Sequence, residues 1–334
     1  MKLNLQEARA LAERSLVTLG YTQPDAGVIT AHLMDCELRG LGYAGLARIL
    51  SIADRLNGSG PSRLPMRTLK ESPVSARIDG ADQIGYLVGE HATRIAIDKA
   101  LQSGIAVVGA SSTWYTGMLS YYAEMATVRG LVLMIASNAS PWVAPHGGTE
   151  GRFGTNPICF GFPSDAEPVI WDIGTSAIIH AEVVLAGRLG QQLPDAVAFD
   201  GAGQPTRDPA AALAGAFASW GGHRGSGLAL VVQLLGMLAG SPAMPGEVTD
   251  FGFLAIAIQP DLLTDPAVFK HEVAAYADSV RATRPLREGE KVRVPFERSR
   301  AERERRLASD QIDVADTVVK ALQNLQSSTL GEMS

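Results

Sequence analysis

Apolar residues recur at helical spacing at both ends of this chain and gather into strand-length runs through its middle. Leu5, Ala8, Leu11, Leu16 and Leu19 fall near one helix face, and Thr22 to Asp25 supplies a turn and a helix start. Further helices are predicted at about 24–39 and 46–56. The stretch 57–65 is rich in Gly, Ser and Pro and reads as a loop and a domain edge. From about residue 73, strands and helices alternate. Strand candidates are 74–78, 105–110, 131–136, 158–162 and 169–173, with helices at about 89–103, 118–129 and 176–189. An apolar helix at 223–238 and a strand at 253–258 follow. The remainder returns to helix through the highly charged 297–306 and the amphipathic 312–325. This order predicts a helical part over 1–72, an α/β core over 73–260, and a helical part over 261–334 that packs back on the first, making one discontinuous helical domain.

Composition narrows the function classes. The 334 residues are 46% hydrophobic and 19% charged, an ordinary globular balance. A chain of this length can bury enough surface to fold without disulfides or metal. The net charge of −6 gives no electrostatic reason to expect nucleic acid. Cys36 and Cys159 show no metal-ligand spacing and are too few for a secreted scaffold, so a reducing, cytoplasmic compartment is expected. Residues 1–19 lack the uninterrupted apolar core of a signal peptide. The most apolar stretch, 227–240, is too short to cross a bilayer. No metal site and no membrane role are expected.

Several segments carry candidate chemistry. Gly40, Gly42 and Gly45 match G-x-G-x-x-G, but the match follows 34–39, which reads as the end of a helix. A dinucleotide-binding loop must follow a strand, so these glycines are expected to form a helix–helix turn. Gly221-Gly222-His223-Arg224-Gly225-Ser226-Gly227 precedes the apolar helix. Free N–H groups at a helix start and the charge of Arg224 would suit a phosphate; the same residues equally describe a glycine-rich cap with a surface arginine. Pro145-His146-Gly147-Gly148 and Phe153-Gly154-Thr155-Asn156-Pro157 belong to a long polar loop of the kind that carries sites. Within it His146 reads as a site residue or a turn residue, the turn favoured, and Trp142 as a stacking surface or packing, packing favoured. Asp172 closes a strand before Thr175-Ser176, where it would bind a cofactor hydroxyl or cap the next helix.

In this order and spacing, the segments resemble the type 2 malate/L-lactate dehydrogenase family, whose members include Δ1-piperideine-2-carboxylate reductase and ureidoglycolate dehydrogenase. The matching pieces are Glu37-Leu38-Arg39-Gly40, Arg48-Ile49, 104–108, 121–126, Phe153-Gly154-Thr155-Asn156-Pro157, Asp172 with Thr175-Ser176, Gln204-Pro205-Thr206 with Asp208-Pro209, Gly221-Gly222-His223-Arg224-Gly225, and 255–258 with Pro260. They span nearly the whole chain. The resemblance implies an α/β fold that binds NADPH or NADH, NADPH preferred, without a Rossmann domain. It also implies a homodimer with active sites near the subunit boundary. Positions matching the family's cofactor contacts are Tyr115, Thr116, Gly117, Met118 and Leu119, then Asp172, Ile173 and Gly174, then His223, Arg224 and Gly225, with Arg298 joining them. Arg48 matches an arginine that clamps a substrate carboxylate, a task suited to a planar bidentate donor.

The departures from the family bear on mechanism. Relatives carry Ser-His-Gly where this chain has Tyr43-Ala44-Gly45, and a second histidine where it has Thr113-Trp114-Tyr115-Thr116-Gly117. A third position, Asp or Lys in relatives, is Glu182. Hydride addition to a ketone leaves an alkoxide that a nearby acid must protonate. The candidate acids are therefore Tyr43, Tyr115 and Glu182. An iminium substrate already bears its proton, so the expectation is a reductase of a cyclic imine or a 2-keto acid, with the imine favoured. The alternatives are isomerisation or another biosynthetic step on the same scaffold, and nicotinamide binding without dehydrogenase activity.

Overall fold

The computed structural model describes residues 1–328. Its chain opens with β1 (Lys2–Asn4), α1 (Leu5–Thr18), α2 (Gln23–Leu38) and α3 (Arg48–Leu56). The middle follows as β2 (Arg67–Ser72), β3 (Ser75–Ile84), α4 (Gly85–Ser103), β4 (Ile105–Trp114), α5 (Leu119–Thr127), β5 (Val132–Ser137), β6 (Ile158–Phe162) and β7 (Val169–Ile173). Then come α6 (His180–Arg188), β8 (Ala198–Phe199), α7 (Pro209–Leu213), β9 (Ala216–Phe217), α8 (His223–Leu238) and β10 (Phe251–Ile258). The described chain closes with α9 (Pro266–Arg281), α10 (Glu297–Ser309), β11 (Gln311–Asp313) and α11 (Asp316–Ser328).

Seven strands form one sheet in the order β2-β3-β4-β10-β5-β6-β7. Only β3 and β4 pair in parallel, joined by α4; every other neighbouring pair is antiparallel. A doubly wound dinucleotide fold needs successive parallel crossovers, so this core is a mixed α/β sheet of a different kind. The late strand β10 lies in the centre, with Ala255 opposite Val108 on β4 and Ile135 on β5. Phe253, Ala255 and Ala257 bury one of its faces with residues of α4 and α5, and α8 packs against β10 and β5. Burial on both faces explains why Phe251–Ile258 is a continuous apolar run rather than an alternating one. Edge strand β2 is the opposite case. Its sequence RTLKES is charged and almost wholly exposed, as an unpaired edge favours, and this hid it from a search for apolar periodicity.

The two ends of the chain meet. β1 pairs with β11, placing Leu3 opposite Ile312, and α1, α2, α3 and α11 share a core that includes Leu11, Leu16, Ile29, Leu33, Ile49, Ile52, Val319 and Leu322. α10 is tied to α2 by charge, with Arg39 and Arg303 both paired to Asp35 and Glu124. A smaller cluster of Val143, Ile178, Val183, Leu193, Ala198, Ala212 and Phe217 holds α6, α7, β8 and β9 beside the sheet. No helix among the described residues is long and apolar enough to cross a membrane.

Candidate active site

A cavity of about 650 Å³ opens where the helical part meets the end of the sheet, within the size range of small-molecule and cofactor sites. Most of its walls come from five separated segments.

The first is the turn between α2 and α3. Glu37 ends α2 almost fully buried, and its Oε1 accepts the Leu46 N–H at 2.7 Å. A side chain at Gly45 would strike that carboxylate, and Gly40 has φ +78. The G-x-G-x-x-G match is thus a turn wrapped around a buried acid, and what it delivers to the cavity is Tyr43 and, at the start of α3, Arg48.

The second segment is Tyr115–Met118, between β4 and α5. His32 is buried among Tyr86, Tyr121 and Tyr122 and accepts the Met118 N–H through Nε2 at 2.9 Å. Burial pushes its pKa down to about 3, which keeps it a neutral acceptor. Gly117, at φ +76, leaves no room for a Cβ against His32 and Tyr86. Tyr122 donates its hydroxyl to the Thr116 carbonyl at 2.9 Å, and Thr116 donates to Ser137 at 2.9 Å. These bonds hold Tyr115 at φ +52, a left-handed backbone that a bulky residue rarely adopts.

The other three segments are Asn138, Ala139 and Trp142 after β5; Asp172 and Gly174 at the end of β7 with Ile179 and His180 at the start of α6; and 293–299 before and within α10, while Tyr86, Thr155, Pro157 and Phe251 complete the lining. Asp172 accepts the Ser120 N–H at 2.7 Å, at the positive end of α5. Burial raises its pKa, partly offset by that bond. Phe296 also has a left-handed backbone, at φ +78, and its ring lies 4.3 Å from the Arg39 guanidinium. Arg293 and Arg298 are exposed at the rim, with no ion pair among the described residues.

The structure therefore gathers Tyr43, Arg48, Tyr115, Thr116, Gly117, Met118, Asp172, Gly174 and Arg298 into one cavity. Leu119 is buried beneath it as the first residue of α5, and Ile173 packs towards α8. His223, Arg224 and Gly225 stand apart from its walls at the start of α8, where His223 and Arg224 are exposed. Glu182 does not line the cavity; its carboxylate accepts the Ile179 N–H at 2.9 Å and caps α6. Asn156, from the Gly-Thr-Asn-Pro segment, is wholly buried and donates to the Ala229 carbonyl and to Gln233, fixing α8.

Arg48 dominates the electrostatics. Its Nε and Nη1 are buried without a partner, and it lies beside Tyr86, Tyr115 and His180. Burial pushes the phenols of Tyr43, Tyr86 and Tyr115 above their ordinary range. Sequence reasoning missed His180, Tyr86 and Arg293, and for Trp142 favoured packing over the stacking surface that its ring offers to His180. His180 sits in the apolar run Ala177-Ile178-Ile179-His180-Ala181, with no polar neighbour to mark it. Only its position two residues before Glu182 could have drawn attention to it.

The arrangement is a charged clamp in an aromatic chamber with an anchored loop and a cationic rim, and its likeness to known proteins is extensive. Residues 3–323 match the malate/L-lactate dehydrogenase family. The chain is 34% identical to a Delta(1)-pyrroline-2-carboxylate reductase of Burkholderia ambifaria over 80% of each chain. It is 31% identical to an L-sulfolactate dehydrogenase of Methanocaldococcus jannaschii over 89% of each. A solved dehydrogenase from Sinorhizobium meliloti superposes with a TM-score of 0.89 at 29% identity, over 98% of both chains. The chain belongs to the malate/L-lactate dehydrogenase family of oxidoreductases.

Proposed function

We propose that this protein uses NADPH or NADH to reduce a small carboxylate-bearing substrate, and that the bond reduced is the C=N of a cyclic imine. The observation that carries the reading is Arg48, a guanidinium that lines an aromatic cavity with no ion pair among the described residues. A cation without a counter-ion in such a cavity calls for an anion, and a carboxylate seated there would accept a charge-assisted hydrogen bond from the part of the guanidinium that lines the cavity.

The bound dinucleotide would supply a hydride. This chain's residues fit such a group. The anchored Thr116-Gly117-Met118 turn leads into the N-terminus of α5, Asp172 offers a carboxylate beside it, and the unpaired Arg293 and Arg298 at the rim suit phosphates. Those two charges support a preference for NADPH over NADH.

The imine follows from proton supply. Among Tyr43, Tyr115 and His180, the phenols are pushed up and the imidazole down to about 3. None of the three is matched to proton donation near neutral pH. Reduction of an iminium carbon ends in a neutral amine and asks no wall residue for a proton. Ketone reduction ends in an alkoxide that must be protonated. The Burkholderia relative named for a cyclic imino acid supports the same choice.

A cytoplasmic homodimer is part of this reading. The outer side of α8 leaves Leu230, Val231, Leu234, Met237 and Leu238 between 41% and 71% exposed, an apolar row suited to a second copy. His223 and Arg224 stand at the head of that row and would reach a cofactor from there.

The test is NADPH and NADH oxidation with cyclic 2-imino acids set against 2-oxo acids. A kcat/KM at least about tenfold higher for an imino acid is expected. Faster turnover of a 2-oxo acid would replace the imine with a ketone, and no turnover of either class would end the reading.

A further inference from the structure

His180 is fixed by stacking. Its imidazole lies on the Trp142 indole with centroids 3.9 Å apart and planes 17° from parallel. Phe217 stands 6.4 Å away. With a face covered, the ring acts through its edges. Nδ1 is sealed from solvent and has no partner, so the nitrogen left to meet a ligand is Nε2. A sealed N–H without an acceptor is the rarer and costlier orphan, more so than a sealed lone pair. The neutral ring therefore carries its proton on Nε2. Burial, and after it the charge of Arg48, push the pKa of His180 down to about 3 and keep the ring neutral.

Arg48 presents the complementary fact. It lines the same cavity without an ion pair among the described residues, and it is close enough to His180 for its charge to act on the ring. Two donors cannot satisfy each other. An imidazole N–H and a guanidinium converging on one chamber call for an anion with lone pairs to spare on two oxygens. A second cation beside Arg48 would repel it, whereas a neutral donor adds a hydrogen bond at no such cost.

We propose that His180 is a second binding residue for the substrate carboxylate, donating from Nε2 to one oxygen while Arg48 holds the anion through its guanidinium. The proposal rests on the reduction argued above only for the identity of the molecule that bears the carboxylate. It also assigns a specificity: a primary amide in place of the carboxylate would set its own N–H groups against these donors and be refused.

The test uses the full chain and pyrrole-2-carboxylate, a flat ring acid with no reducible C=N bond, with pyrrole-2-carboxamide as its control. His180→Phe keeps a ring for Trp142 and removes the donor; His180→Asn returns a neutral donor. Calorimetry should show the acid binding the wild type, binding His180→Phe at least about tenfold more weakly, and regaining part of the loss in His180→Asn. The amide should bind none of them comparably, and NADPH affinity should be the same in all three. With a reducible imino acid, KM should rise in His180→Phe while kcat stays within about threefold. Equal acid affinity in wild type and His180→Phe overturns the proposal, as does failure of the wild type to bind the acid. A fall in kcat at unchanged KM overturns it too, because it would make His180 a proton donor. If the acid binds as described but no imino or oxo acid is reduced, the carboxylate site stands and the proposed reduction fails.

Discussion

The guanidinium carbon of Arg48 lies 4.2 Å from the ring centroid of Tyr115, so the cavity's central cation rests on a residue whose own backbone is left-handed. A strained residue persists where its surroundings over-determine it, and here Gly117, His32 and Tyr122 do so. The cation–π contact holds the guanidinium plane without consuming its hydrogen bonds. Replacing Arg48 with Ala should raise KM for a carboxylate substrate roughly 10- to 100-fold, the worth of a lost charge-assisted pair. Arg48→Lys should recover only part of it, since a point charge cannot reproduce a fork. Steady-state kinetics of the two variants decide the matter, and normal kinetics in Arg48→Ala would make the residue structural.

Tyr43 and Tyr115 separate imine from ketone. If the reduced bond is C=N, Tyr43→Phe and Tyr115→Phe should each keep most of kcat. If it is C=O, the tyrosine serving as acid should lose roughly 10²–10⁴-fold on losing its hydroxyl. Glu182→Gln belongs in the same series. Its carboxylate is engaged with the Ile179 N–H, so this change should act on thermal stability before it acts on kcat. A large kcat loss in one tyrosine variant alone would overturn the imine and name the acid.

The elements that were legible in the sequence are those whose residues answer to one local demand. β10 shows a long apolar run because both faces are covered, and the charged α10 shows a solvated pattern with no fully buried residue. The exposed β2 and the three-residue β1 and β11 carry no such periodicity; they exist because of what they pair with. The site divides in the same way. Arg48 and Asp172 stand in recognisable segments, whereas His180 gains its meaning from Trp142 and Arg48, which reach it from other parts of the chain. Arg224 shows the converse, a basic residue in a phosphate-like glycine setting that the fold holds on an exposed helix start outside the cavity.

That placement makes cofactor preference a test of geometry. Arg298 and Arg293 line the rim without ion pairs among the described residues, and Arg224 does not line it. Arg298→Ala should weaken NADPH by roughly 5- to 20-fold and NADH much less, because one charge-assisted contact to a 2′-phosphate is removed. Arg224→Ala should leave both affinities within about twofold if each cavity is served by its own chain alone, and a loss would show instead that α8 of a second copy brings Arg224 to the cofactor. Calorimetric titration of each variant with both dinucleotides separates the two. Equal losses for NADPH and NADH in Arg298→Ala would place that arginine on the shared diphosphate instead.

Glu37 gives the turn that carries Tyr43 a pH signature. Burial, opposed by the Leu46 N–H and by Arg306, raises its pKa from 4.5 to about 7. A raised carboxyl pKa means that the folded state keeps a proton which the unfolded chain releases between pH 4.5 and 7. Folding stability attributable to Glu37 is therefore full below about pH 4.5 and declines as pH rises through that window. The whole decline is roughly 3 kcal/mol, because a tenfold change in proton affinity is worth about 1.4 kcal/mol. His32 and His180 slope the other way. Their pKa values are depressed from 6.5 to about 3, so their contribution is lost as pH falls through that range. The Glu37 effect must accordingly be read as a difference. Glu37→Gln keeps a carbonyl for the Leu46 N–H and cannot ionise. Relative to wild type, the variant should look weakest near pH 4.5 and gain progressively up to pH 7, with a constant offset above. Denaturant unfolding at intervals across this range measures it. A difference that does not change with pH would show that Glu37 is ionised throughout, and that the turn is held by a charged rather than a protonated acid.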